Sequence, residues 1–187
     1  MLRRLLLILA TTLLGGSLVS CSFCAWNYPA NHIGKIRTLA NNGGAHAQYV
    51  LGDLYAGGLS LPKDEVEALK WYRRAAAQGD VDALRRLGYL YRDGEGVPKN
   101  AAEAAKWFRR AADQGDPSAQ DVLSLLYAKG KGVKKDEAEA YKWHLLAGTT
   151  GDPAPRENYV ALSRDLSPEL RAEGEKRAKA FKPTKQK

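Results

Sequence analysis

A unit of 36 residues occurs three times in succession in the middle of this 187-residue chain. Of the positions that carry the same residue in all three copies, eight show the 36-residue period most clearly. They are Ala47, Ala83 and Ala119; Leu51, Leu87 and Leu123; Tyr55, Tyr91 and Tyr127; Gly58, Gly94 and Gly130; Ala68, Ala104 and Ala140; Trp71, Trp107 and Trp143; Ala75, Ala111 and Ala147; and Gly79, Gly115 and Gly151. A unit of this size cannot bury its own apolar face, so the copies must stack on one another.

Each unit has the pattern of two amphipathic helices. In the second copy, Leu87, Leu90 and Tyr91 recur at intervals of three and four residues, and Ala104 and Trp107 continue that spacing in the second half of the unit. This spacing places apolar side chains along one stripe of an α-helix. The pattern therefore predicts a helical hairpin in every copy.

Residues typical of helix ends separate the predicted helices. Asp64 precedes Glu67 by three residues, close to the spacing of a capping box, and Asp116 precedes Pro117, as at a helix N-cap with proline in the first turn. The capping-box spacing recurs with Asn100 and Glu103, and with Asp136 and Glu139. Glycines suited to helix C-termini follow both helices: Gly58, Gly94 and Gly130, then Gly79, Gly115 and Gly151.

The segment LGYLYRDGEGVPKNAAEAAKWFRRAADQGD, residues 87–116, resembles the Sel-1-like repeat, a relative of the tetratricopeptide repeat. The residues that carry this resemblance are, in order along the segment, Leu-Gly, Tyr, Gly-x-Gly-Val, Ala, Trp-aromatic, Ala-Ala and Gly. The resemblance covers roughly residues 30–182 and implies an all-α fold, an α-solenoid of stacked helical hairpins with terminal capping helices. The departures from this pattern are Ser60 and Leu61 in copy one, and Ser124, His144 and Gly148 in copy three.

The first 21 residues have the order of a bacterial export signal, since MLRR is followed by an apolar run too short for a typical membrane-spanning helix. The end of this run, LVSC, resembles the lipobox, which implies that Cys21 is lipidated and becomes the first residue of the mature chain. Ser22 resembles the residue of Gram-negative lipoproteins sorted to the outer membrane. An uncleaved signal anchor reaching Trp26 and cleavage by the ordinary signal peptidase are the alternatives.

The expected product is therefore exported and lipid-anchored to a bacterial membrane facing the periplasm, the outer membrane if the host is Gram-negative. Cys21 and Cys24 also have the C-x-x-C spacing of a redox pair, but lipidation would consume one of them. The predicted segments are a signal peptide 1–20, a lipidated linker 21–29, a capping helix 30–43, repeats 44–80, 81–116 and 117–152, capping helices 153–182 and a basic tail 183–187.

The net charge of +8 does not lie on the repeats. Residues 44–152 carry 16 basic and 16 acidic residues, whereas residues 171–187 carry seven basic and two acidic ones. The charge distribution thus gives no support to a basic stripe across a folded face, and no nucleic-acid partner is expected. For the tail, contact with anionic lipid headgroups and a frayed, solvated end are both open.

No catalytic or metal-ligating constellation is predicted. His32, His46 and His144 lack the close spacing of metal ligands and a Cys or carboxylate partner at a repeating offset. His144 occupies the repeat position of Tyr72 and Phe108, which favours a packed imidazole. We therefore expect a protein that is not an enzyme and has no cofactor, metal or small-molecule substrate. An envelope hydrolase of the β-lactam or cell-wall class is the alternative.

The resemblance also implies where an unidentified protein or peptide would bind, because the first helix of each hairpin lines the concave side of the tetratricopeptide fold. The residues placed outward are Tyr49, Asp53, Arg85, Tyr89, Arg92, Asp121 and Leu125. Tyr and Arg are the residue types that carry interface energy, although a solvated face with a stray tyrosine is the alternative. The predicted function is that of a membrane-tethered protein-interaction scaffold of the cell envelope.

Overall fold

The computed structural model describes residues 30–58, 60–148, 164 and 166–184, and these form eight α-helices. The helices are α1 (Ala30–Asn41), α2 (Ala45–Gly57), α3 (Glu65–Ala77), α4 (Val81–Asp93), α5 (Ala101–Asp113), α6 (Pro117–Lys129), α7 (Glu137–Gly148) and α8 (Pro168–Ala180). Helices α2 and α3, α4 and α5, and α6 and α7 pack as three hairpins, α1 packs on α2, and α8 packs on α7. The predicted all-α solenoid is confirmed.

The described helices include none with the length and apolar character needed to cross a membrane. The predicted signal peptide, Cys21 and Cys24 lie outside the described residues, as does most of the first predicted C-terminal capping helix. The second one begins where the sequence indicates, because Ser167 Oγ accepts a hydrogen bond from the Leu170 N–H and Pro168 is the first residue of α8.

The second helix of each hairpin begins at the predicted cap. Asp64 Oδ1 accepts from the backbone N–H of Glu67 at 2.9 Å, while the Asp64 N–H donates to the carbonyl of Tyr55 in the preceding helix at 3.0 Å. The Glu67 carboxylate pairs with Lys70 instead of completing a capping box. The same contacts recur at Asn100 with Glu103 and Tyr91, and at Asp136 with Glu139 and Tyr127. Each cap thus joins the two helices of its hairpin.

The two helices of a hairpin approach each other most closely where a glycine faces an aromatic ring. A Cβ added to Gly52 would lie 2.7 Å from the Tyr72 ring, and one added to Gly88 would lie 2.7 Å from the Phe108 ring. In the third repeat both positions differ, with the fully buried Ser124 at the glycine position and His144 at the ring position. The third repeat thus combines a larger residue at the glycine position with an imidazole, which is smaller than a phenyl ring, at the ring position.

One large apolar cluster runs from α3 to α7, and a smaller one joins Trp71 to Ala40, Leu51 and Leu54 of α1 and α2. The segment that follows α8 returns to the large cluster, where the Phe181 ring meets the Trp143 ring edge-to-face at 5.4 Å.

Further along this segment, the Thr184 N–H donates to the Asp113 carbonyl at 2.8 Å. The frayed end considered from the sequence is therefore wrong for residues 181–184, which dock on α5 and α7.

Candidate functional site

We call the side of α2, α4 and α6 that carries the predicted outward residues the first-helix face. These residues are Tyr49, Asp53, Arg85, Tyr89, Arg92, Asp121 and Leu125. All but Asp121 are partly or fully exposed, with Arg92 the most accessible. The structure places them in three local groups, one on each first helix.

On α4, Tyr89 lies between an aromatic ring and a cation. Its ring meets the Phe108 ring edge-to-face at 5.1 Å, and the Arg92 guanidinium carbon lies 4.7 Å from the centre of the Tyr89 ring. Arg92 also donates two hydrogen bonds to the Asp93 carboxylate. Because Tyr89 rests on the fully buried Phe108, the Tyr89–Arg92 pair is a rigid, half-exposed contact of the kind found at binding hot spots.

Arg85 connects consecutive first helices. Its guanidinium donates to Asp82 one turn earlier on α4, and its Nε lies 3.6 Å from Oδ2 of Asp116 at the start of α6. Asp116 is also the N-cap of α6, since its Oδ1 accepts from the Ala119 N–H. Burial raises the pKa of Asp116, although the Ala119 N–H and Arg85 act in the opposite direction. Arg85 is thus an ion-paired residue, with 30% of its side chain exposed.

On α2, Asp53 is the acceptor for two phenols. The Tyr72 hydroxyl donates to Asp53 Oδ1 at 2.7 Å, and Tyr49, whose ring lies 6.0 Å from that of Tyr72, also hydrogen-bonds to Asp53. Burial, followed by the bond to Asp53, raises the pKa of both tyrosines. The Asp53 carboxylate is therefore occupied by hydrogen bonds within the first repeat rather than free on the surface for a partner.

The two residues on α6 differ from each other. Leu125 is half-buried, whereas only 9% of Asp121 is exposed, so its predicted outward placement is wrong. The long side chains of Tyr49 and Arg85 occupy the equivalent position and carry their polar ends toward the surface. An aspartate at this position is too short to do so.

A cluster that sequence reasoning missed lies at the start of α4. His46 of α2 has its Nδ1 3.5 Å from Oδ2 of Asp80, and these two residues and Asp82 bring their ligand atoms within 4.8 Å of one another. This is the group of described residues that could hold a metal ion. However, the other oxygen of Asp80 caps Ala83, Asp82 pairs with Arg85, and a helix N-terminus repels cations. The cluster therefore favours the His46–Asp80 contact over a bound metal ion.

The sequence pattern identified Arg85, Tyr89 and Arg92 as one group, and the structure brings them together on α4 with Tyr49 near Arg85. The sequence pattern did not identify Asp82 and Asp116 as the acidic partners of Arg85. Two signals could have found them, namely the three-residue spacing between Asp82 and Arg85 and the N-cap position of Asp116 before Pro117. The Asp80 partner of His46 had no local signal, because the two residues stand at opposite ends of the first repeat.

Helical hairpins stacked in this way define an α-solenoid. The Sel1 repeat family matches residues 45–80, 81–116 and 117–152, and the chain belongs to this family. Sel1 repeat proteins generally serve as protein–protein interaction scaffolds and are typically not enzymes. No catalytic family is indicated.

Three solved structures are similar to this chain. A Sel1 repeat protein from Oxalobacter formigenes is 33% identical with a TM-score of 0.65, over 72% of this chain and 98% of its own. A protective antigen with an SLR fold from uropathogenic Escherichia coli strains is 34% identical with a TM-score of 0.65, and 78% of this chain covers 33% of that protein.

Cysteine-rich protein B of Helicobacter pylori is 19% identical with a TM-score of 0.55, over 68% of this chain and 94% of its own, and shows the fold alone. None of the curated proteins matches the chain.

Proposed function

We propose that this protein is a membrane-tethered interaction scaffold of the bacterial cell envelope, which docks a protein or peptide on its first-helix face. The observation that carries the proposal is the Tyr89–Arg92 pair, since it combines a ring held on Phe108 with an accessible guanidinium. Aromatic rings and guanidinium groups supply a large share of the binding energy at protein interfaces.

The ion pairs beside Tyr89 suit a partner that carries charge of both signs. Asp82, Arg85 and Asp116 form a row from α4 to the start of α6, and Arg92 adds a cation next to it. Charges arranged in this way contribute mainly to the choice and register of a partner, whereas the ring contributes more to affinity.

The tether follows from the lipobox resemblance at Cys21. Acyl chains on this residue would hold the repeats at the periplasmic face of a membrane, the outer membrane in a Gram-negative host. Confinement to a surface raises the effective concentration of any partner that resides there. Weak docking to the first-helix face would then be sufficient for function.

The docking face is tested by changing its charges while preserving the fold. Arg85→Glu would place a third carboxylate between Asp82 and Asp116 and disturb the start of α6, so Arg85→Gln combined with Arg92→Glu is the better variant. We expect it to lose partners that crosslink to the wild-type protein in intact cells, with an unchanged melting temperature.

The matched control for this experiment is Lys106→Glu, which reverses one charge on the exposed side of α5 and should retain the partners. Equal capture by the double variant and the control would move the docking site away from the first-helix face.

The tether is tested separately with Cys21→Ser. We expect the wild-type protein to incorporate a fatty-acid probe and to fractionate with membranes, and the variant to do neither. Cys24→Ser is the matched control, because it removes a neighbouring thiol and leaves the lipobox intact. Labelling that persists in Cys21→Ser would contradict the anchor without affecting the docking face.

A further inference from the structure

A cavity of about 350 Å³ lies between the first and second repeats, away from the group formed by Tyr89 and Arg92. Its apolar wall includes Ala68 of α3 and Leu90 of α4, and Tyr72 also lines it. Small-molecule sites in proteins begin at a volume of about 300 Å³ and combine apolar walls with a few polar groups. The cavity has this size and character.

Four charged residues surround the opening, two of each sign. Lys63 Nζ lies 2.7 Å from Oε1 of Glu65, a closed ion pair. Arg86 and Glu95 form a looser ion pair, with 3.8 Å between Arg86 Nη2 and Glu95 Oε2. Because the positive and negative charges balance, a simple anion or a simple cation would gain little electrostatic binding energy on entering the cavity. A molecule that carries both charges would match the opening.

Arg86 has hydrogen-bonding capacity that the protein does not use. Its Nε is buried and has no hydrogen-bond partner, although its guanidinium lies beside the Tyr72 hydroxyl. Buried donors are nearly always paired in folded proteins. The Nε–H and the loosely held Nη2 together form the two-donor edge that binds a carboxylate in bidentate geometry.

The next junction along the solenoid is an internal comparison for this cavity. Moving 36 residues along the chain keeps its framework, since Ala68, Leu90 and Lys63 become Ala104, Leu126 and Lys99. The polar positions change instead: Arg86, Glu65, Glu95 and Tyr72 become Val122, Ala101, Lys131 and Phe108. The next junction therefore stacks without the pairing of Arg86 with Glu95.

We propose that this cavity binds a small zwitterion of the amino-acid type, a free amino acid or a dipeptide, through Arg86 and Glu95. The ligand carboxylate binds the guanidinium edge of Arg86, which releases Glu95 from its loose contact. Glu95 then accepts the ligand ammonium group, and an apolar side chain packs on Ala68 and Leu90. This site is independent of the first-helix face and of the lipid anchor.

Calorimetric titration of the full chain tests the proposal. One dipeptide is used in three forms: free, N-acetylated and C-terminally amidated. Detergent is added where the apolar N-terminal segment requires it. We expect alanyl-leucine to bind saturably at millimolar concentrations or below. N-acetylation removes the ammonium group and C-terminal amidation removes the carboxylate. Each change should weaken binding about tenfold, the usual effect of losing one charge-assisted hydrogen bond.

Two variants assign the charges to residues. Arg86→Val introduces the residue found at the equivalent position of the next junction, and it should weaken alanyl-leucine about tenfold. Glu95→Lys changes an exposed loop residue, and it should weaken the binding of alanyl-leucine. The same variant should bind the N-acetylated dipeptide at least as well as the wild-type protein does. Lys131→Glu, the converse change at the next junction, is the control and should leave affinity unchanged.

The proposal would be overturned by the absence of saturable binding, by equal affinity for the free and blocked dipeptides, or by unchanged affinity in Glu95→Lys. Because Glu95 lies in an exposed loop, this variant gives a result even where Arg86→Val lowers stability. None of these outcomes bears on docking at the first-helix face, which Arg85→Gln with Arg92→Glu tests separately.

Discussion

Single residues of this solenoid are constrained in pairs that meet across a hairpin. Gly88 leaves space for the Phe108 ring, and Gly52 does so for Tyr72. The third repeat shows that the pair can change together, because its serine at the glycine position accompanies a histidine at the ring position. Both helices of that repeat form, with α6 at Pro117–Lys129 and α7 at Glu137–Gly148.

Gly88→Ser is expected to destabilise the protein by about 1–3 kcal/mol, since its Cβ would lie 2.7 Å from the Phe108 ring. Combining it with Phe108→His reproduces the pair of the third repeat. The loss in the double variant should be smaller than the sum of the two single losses by about 1 kcal/mol or more. Urea unfolding of the four proteins measures this coupling.

The control for this cycle is Gly57→Ser, since a Cβ at Gly57 meets no atom within 4 Å. It should change stability by less than about 0.5 kcal/mol. Strict additivity of Gly88→Ser and Phe108→His would show that the two positions are not coupled.

Whole helices are joined by polar contacts as well as by apolar packing. The clearest case is Glu139 of α7, whose carboxylate pairs with Lys142 at 3.0 Å, with Arg109 of α5 at 3.3 Å and with Arg177 of α8 at 3.3 Å. It also accepts a hydrogen bond from the Trp143 Nε1–H. Burial alone would raise the pKa of Glu139, but the bonds to Lys142 and the charges of the arginines hold it below its ordinary value of 4.5.

A depressed carboxyl pKa stabilises the fold above the unfolded value, and this stabilisation is lost as the pH falls through the folded value. Glu139→Gln should therefore cost about 2–4 kcal/mol at neutral pH, and the difference from wild type should shrink as the pH falls below 4.5. Urea unfolding across this pH range measures the effect.

Glu137→Gln is the matched control on the same helix. Its carboxylate makes an exposed pair with Lys135, so the variant should lose less than about 1 kcal/mol at any pH. A loss in Glu139→Gln that did not depend on pH would contradict the role of the charge.

Most of the apolar core of the described residues is shared between repeats rather than divided into one core for each repeat. The large apolar cluster extends from Ala68 on α3 to Trp143 on α7, and polar bonds follow the same course. Arg73 donates to the Tyr91 hydroxyl of the next repeat at 2.8 Å, and Arg110 donates to the carbonyl of Ala76 in the previous one at 2.9 Å. The repeats should therefore unfold as one unit.

Trp143→Ala tests this cooperativity, because it removes a fully buried side chain at an expected cost of about 3–5 kcal/mol. Hydrogen exchange of the full chain measures where the cost appears. Amide protection should fall by a similar factor in α4 and α5 as in α7. A loss confined to α7 and α8 would instead indicate that the third repeat unfolds independently.

Of the candidate site, the sequence identified the α4 residues and misplaced one residue on α6. Arg85, Tyr89 and Arg92 share one side of a helix because of their spacing alone, which a periodic pattern reveals. The burial of Asp121 depends on the reach of its side chain. The acidic partners of Arg85 and the charged rim around Arg86 depend on how one hairpin lies on the next.

The amino-acid sequence by itself determined the helices, their ends and the fact that the hairpins stack. These features rest on interactions between residues three or four positions apart and on a period repeated three times, so each is visible locally. Only the tertiary structure decided which polar groups meet between repeats and that residues 181–184 return to α5 and α7. Those contacts depend on the angle and spacing between hairpins, which side-chain packing sets through many residues at once.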